Sequence, residues 1–153
     1  MVLSLVCPRP VVTVAVVLLL QGSQPVIADQ HQTREALSGL AQEMSTCSAF
    51  FALAASVLRR ASPEGTRQAI EHYEMAGKIL LAQAIVIADV IGLDAEAPED
   101  WSRAALQQMV KEIDADPRNS AALMTSKYHA PCQTLLKDSA TRFRALIESD
   151  TPD

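Results

Sequence analysis

From Gln32 to about Arg60, Leu37, Leu40, Ala41, Met44, Ser48, Phe51, Ala55 and Leu58 recur at three- and four-residue spacings. Such a period puts them on one face of a helix. Ala61-Ser62-Pro63-Glu64-Gly65 closes this segment, and Ser62 with Pro63 predicts the N-cap and first turn of the next helix. The second helix is expected to run to about Ile91, where Gly92 supplies a stop. Its stripe is Ile70, Tyr73, Gly77, Leu80, Leu81, Ala84, Ile87, Ala88 and Ile91, but between Ile79 and Ile91 only Gln83 and Asp89 are polar. A helix apolar nearly all round is either central in its domain or part of an oligomer contact.

An acidic loop follows, and Pro98-Glu99-Asp100 reads as the first turn of a third helix carrying Trp101, Ala105, Leu106, Met109, Val110 and Ile113. Asp116-Pro117 repeats the cap-then-proline pattern. The fourth helix then continues to about Ile147 through Leu123, Met124, Tyr128, Cys132, Leu135, Ser139, Phe143 and Leu146. Pro131 lies inside it and predicts a kink or short break between Lys127 and Pro131, because proline cannot bond to the carbonyl four residues earlier. Four helices joined by short connections predict an all-α, antiparallel four-helix bundle, with the first and fourth helices as neighbours in a simple up-down arrangement.

The first 28 residues differ from the rest. Arg9 precedes the apolar run Val11 to Leu20, Gln21 to Pro25 breaks it, and Val26-Ile27-Ala28 ends in the small residues that signal peptidases accept. A secretory leader over residues 1–28, cleaved after Ala28, is therefore expected, with residues 29–153 as a single domain. A retained membrane anchor would need about 20 apolar residues, and the run is interrupted sooner. The protein after cleavage is expected to be periplasmic or secreted, with no membrane insertion.

The whole chain carries 13 basic and 18 acidic residues for a formal charge of -5, and the expected leader contains one base and no acid. An acidic surface with aromatics at only 4% argues against nucleic acid as a partner and favours neutral or basic ones. Cys7 leaves with the leader, so Cys47 and Cys132 are the only thiols of an exported chain. In the bundle they fall on adjoining helices, each near mid-height. A disulfide between them is the expectation, closing a loop of 85 peptide steps. The competing use of Cys132 is as a thiol activated by His129, three residues earlier.

Cys47-Ser48-Ala49-Phe50-Phe51 and Tyr128-His129-Ala130-Pro131-Cys132 resemble the motifs of small exported helical proteins of Gram-negative bacteria, which pair an early Cys-plus-aromatic motif with a late Tyr-x-x-x-Cys motif. The resemblance implies a periplasmic four-helix protein with the two motif cysteines paired, and it carries no assigned activity.

No chemistry stands out beside this. Di-iron bundles need Glu-x-x-His pairs, but Ala69 precedes His72 by three residues and Ser126 precedes His129, while His31 lies near the mature N-terminus. The haem signature Cys-x-x-Cys-His is absent. His72 with Met75 could attract a soft metal, yet a histidine on the bundle surface explains it as well. Asp89 is either a buried carboxylate or the solvent-facing position of its helix, and Gly39 and Gly77 suggest close helix packing. No phosphate loop or catalytic triad is found. The expectation is a protein without cofactor, metal or enzymatic activity that binds another protein, with Ile79, Val86 and Val90 as the candidate surface and a homodimer as one solution. The alternative is a carrier of a small ligand or metal in the bundle interior.

Overall fold

The computed structural model describes residues 25–61 and 65–149, with side chains from Gln30 onward, and these residues are helices and turns without a strand. Helix α1 spans Pro25–Ala61, α2 Arg67–Val90, α3 Ala97–Ala115, α4 Ser120–Met124 and α5 Ala130–Glu148, with a π-helical turn over Thr125–His129. The stretch α4–π-turn–α5 is the fourth helix of an antiparallel bundle. Arg59 pairs with Glu74 across α1 and α2, and Cys47 with Cys132 and Glu43 with Arg142 across α1 and α5. The leader expected over residues 1–28 lies, up to residue 24, outside the described residues, and the backbone from Pro25 is helical and continuous with α1.

Helix α1 is the axis on which α2, α3 and α5 pack. Its stripe is buried from Leu37 to Ala55 as the spacing predicts, with Leu58 half-buried at its end, and burial extends around it: between Met44 and Phe51 every residue is buried except Thr46. Small residues allow this. Ser45 is 0% exposed and donates its hydroxyl to the Ala41 carbonyl at 2.9 Å, which satisfies the group inside the helix that carries it. The core of Leu37, Leu40, Met44 and Phe51 is completed by Leu80, Ala84 and Ile87 from α2, Met109 from α3, and Tyr128, Cys132 and Leu135 from the fourth helix.

The two interior glycines differ. A Cβ on Gly77 would meet the Ser48 backbone oxygen of α1 at 3.2 Å and the Phe51 Cβ at 3.5 Å, so Gly77 permits the close α1–α2 approach expected of it. Gly39 has nothing within 4 Å of such an atom, and close packing does not explain it.

Helix boundaries follow hydrogen-bond chemistry more closely than the proline signals. Residues 62–64 lie outside the described residues, and the residue preceding α2 is Thr66, without a side-chain cap, rather than Ser62. Gly92 stops α2 as expected: at φ +65° it lets its own N–H reach the Asp89 carbonyl at 3.0 Å and that of Leu93 reach Ala88 at 2.8 Å. This pair of bonds satisfies the last carbonyls of the helix. Pro98 lies in the first turn of α3 with Glu99 and Asp100, also as expected. Pro117 does not begin the fourth helix. The Asp116 carboxylate instead accepts the Asn119 side-chain amide at 2.8 Å and backbone N–H at 3.3 Å, which folds residues 116–119 into a turn and moves the helix start to Ser120. Near Pro131 the helix widens without breaking. The Ala130 N–H bonds to the carbonyl of Thr125, five residues back, so one turn takes an extra residue immediately before the proline.

Candidate functional site

Cys47 and Cys132 form the expected disulfide, with Cα atoms 5.2 Å apart, and both residues are buried. Cys132 is therefore not a free nucleophile, and the His129 ring lies against Phe50 and Tyr73 with centroids at 6.1 and 6.5 Å. The π turn sends the neighbours Tyr128 and His129 to different tasks. Tyr128 is buried, stacked on Phe50 at 6.1 Å, and its hydroxyl donates to Glu112 at 3.0 Å.

Glu112 gathers three donors from two helices: Tyr128 Oη, Lys127 Nζ at 2.6 Å and Gln108 Nε2 at 2.9 Å. The Lys127 bond, then that of Gln108, holds the Glu112 carboxyl below the usual carboxylate range. The Glu112 bond raises the Lys127 ammonium, and burial pushes the Tyr128 phenol up. A carboxylate with a depressed folded pKa stabilises the fold above its unfolded pKa, and that contribution is lost as pH falls through the folded value. Raised lysine and phenol pKa values contribute below their unfolded values and lose that contribution as pH rises through the folded ones. Urea denaturation from pH 7 to pH 3 is therefore expected to show a loss of stability that is smaller in Glu112→Gln. Identical pH dependence in the two proteins would remove Glu112 from this role. Half of the Lys127 side chain is exposed, so the effect is modest.

The proposed contact residues Ile79, Val86 and Val90 all face outward, at 43%, 56% and 58% exposure. Helix α2 is thus a surface helix with one buried stripe, and the apolar surplus lies outside because α1 occupies the centre. Asp89 is also solvent-exposed. Reasoning from sequence missed Met75, 58% exposed, although its spacing of four from Ile79 was available. With exposed Ala82, the series Met75, Ile79, Ala82, Val86 and Val90 advances by three or four residues and forms a continuous outer seam. Beside this seam, α2 and α5 leave a groove of about 600 Å³ floored by Met44 and Ile87 and walled by Val86, Phe143 and Ile147. Gln83 also lines it, and its Oε1 is buried without a hydrogen-bond partner. Nothing local in the sequence signals this groove, since its walls are more than fifty residues apart.

Other candidate ligands stay apart. His31 faces Glu35 at 3.5 Å on the exposed side of α1, and His72 packs beside Tyr73 with ring centroids at 5.9 Å. Among the described residues no three His, Cys, Asp or Glu side chains are grouped to hold a metal, and no helix is long and apolar enough to cross a membrane. No protein-family model, curated protein or solved structure matches the chain.

Proposed function

We propose that this is an exported, non-enzymatic helical protein, periplasmic or secreted, that acts by binding another protein through the outer face of α2. The observation that carries the reading is the exposed seam from Met75 to Val90. Single exposed apolar residues are ordinary, but a contiguous series along three turns and more of one helix is characteristic of an interaction surface. The buried Cys47–Cys132 disulfide fits an oxidising compartment, and Phe50 and Tyr128, the aromatic residues of the two cysteine motifs, stack on each other. The first partner to test is a second copy, because a straight helical seam is easily made self-complementary about a two-fold axis.

Sedimentation equilibrium across a wide concentration range is expected to show a dimer. Val86→Lys should weaken it by tenfold or more while leaving the helical circular dichroism unchanged, since a lysine at a half-exposed position is solvated in the monomer. A monomer at every concentration would remove self-association, and with it the strongest support for this face. Small-ligand carriage is the second reading, favoured by an apolar pocket that shares no residue with the seam and is lined by Phe50 and Tyr73.

A further inference from the structure

Both tyrosines, two of the three phenylalanines and two of the three histidines of the chain form one connected set of rings: Phe50, Phe51, His72, Tyr73, Tyr128 and His129. Core packing accounts for part of it, because Phe51 is 0% exposed and Tyr128 is buried. Phe50, Tyr73 and His129 of this set also line a pocket of about 550 Å³ between α1, α2 and the start of the fourth helix, together with Leu53, Val57 and Met124 among others. That volume lies within the roughly 300–1,000 Å³ of small-molecule sites, and such sites combine apolar and aromatic walls with a few placed polar groups.

The polar groups are few here and identifiable. The hydroxyls of Ser120 and Thr125, which also line the pocket, are already donated to the carbonyls of Pro117 at 2.9 Å and Ala121 at 2.8 Å. The Tyr73 hydroxyl and the His129 ring nitrogens have no hydrogen-bond partner among the described residues. The π turn brings His129 to this place. Where the helix bonds five residues back, residues five apart take the stacked relation that residues four apart hold in an α-helix, which aligns His129 with Met124 on the pocket side. No Asp, Glu, Lys or Arg lines the pocket, so a permanent charge on a ligand would be desolvated without a partner. Phe50 and Tyr73 both line the pocket, and each is already stacked on a second ring, Tyr128 and Phe51, so a flat ring that extends this cluster is favoured over a flexible chain.

We propose that this pocket binds a small, neutral, planar aromatic molecule of the phenol or indole class, its ring against Phe50 and Tyr73 and its single O–H or N–H bonded to His129. The site shares no residue with the α2 seam, so it stands or falls independently of the interaction reading.

Calorimetric and amide-shift titrations of the mature, disulfide-bonded protein with 2-naphthol and with indole test it, with dodecanoate as a flexible, charged comparison. Saturable one-to-one binding is expected, with shifts centred on Phe50, Tyr73, Met124 and His129. His129→Ala should weaken binding about tenfold, Tyr73→Phe severalfold, and Ala54→Trp should fill the pocket and abolish it. Val86→Lys should leave the affinity unchanged. Circular dichroism identifies any variant that fails to fold, and Tyr73→Phe, which loses a single oxygen, keeps the test decisive in that case. Absence of saturation at millimolar ligand, equal binding of dodecanoate, or full affinity in both His129→Ala and Tyr73→Phe would overturn the proposal.

Discussion

Replacing Cys47 or Cys132 with Ala is expected to lower the folding free energy by about 2–5 kcal/mol, the usual loss when a small exported domain gives up a native bridge. Against a net stability of about 5–15 kcal/mol this is a large fraction. The loss should also be uneven. Helix α5 buries only Cys132, Leu135 and Ser139, whereas α2 buries seven residues from Ile70 to Ala88. Helix α5 therefore has less apolar area than α2 with which to hold itself on α1, and the bridge joins the first turn of α5 to the middle of α1. Hydrogen exchange in the cysteine variants is expected to accelerate first over residues 130–148, with α1 and α2 protected until global unfolding. Alkylation of the unreduced protein followed by intact-mass measurement should add no label. Two labels would mean that the bridge does not form in solution and would return Cys132 to the role of reactive thiol.

The four-helix order, the stripe on α1, the stop at Gly92, the start at Pro98 and the cysteine pairing were legible because each depends on local spacing or on elimination between two residues. Three features were not. Helix α2 reads as the most apolar helix, yet α1 is the central one, because its extra buried positions include the small residues Ser45, Cys47 and Ala49. These count little on a hydropathy pattern and fit well where helices approach closely. Pro117 looked like a helix start because proline suits a first turn, but the Asp116 carboxylate captured Asn119 and closed a turn there instead. Pro131 announced an irregularity without specifying it, and the widened turn that separates Tyr128 from His129 emerged only with the backbone. The outward direction of Ile79, Val86 and Val90 depended on which helix took the centre, so the surface was nameable from sequence while its exposure was not. The groove beside Val86 and the pocket over Tyr73 join residues remote in the chain, and no local spacing encodes them.

The core position expected to matter most is Phe51. Phe51→Ala should destabilise the protein by about 3–5 kcal/mol, the sum of lost transfer energy and the cavity left behind. The ring is fully buried, lies stacked on Tyr73 with centroids 5.7 Å apart, and meets Phe50 at 5.4 Å. Collapse into the vacancy is hindered on the α2 side, since Gly77 faces the Phe51 Cβ and has no side chain to move inward. The Ser48 carbonyl of α1 lies so near that glycine that even a Cβ there would meet it at 3.2 Å, which leaves the helices little room to close further. A swing of Tyr73 into the space would draw it from its place between Phe51 and His129, and a swing of Phe50 would draw it from its stack on Tyr128. Val57→Ala is the control: at 53% exposure it should change stability by less than about 0.5 kcal/mol. Urea denaturation of the two variants with the bridge intact measures both. A loss below about 1 kcal/mol for Phe51→Ala would mean that the α1–α2 contact is not organised around this ring, and that the tight fit at Gly77 is not what holds the two helices in register.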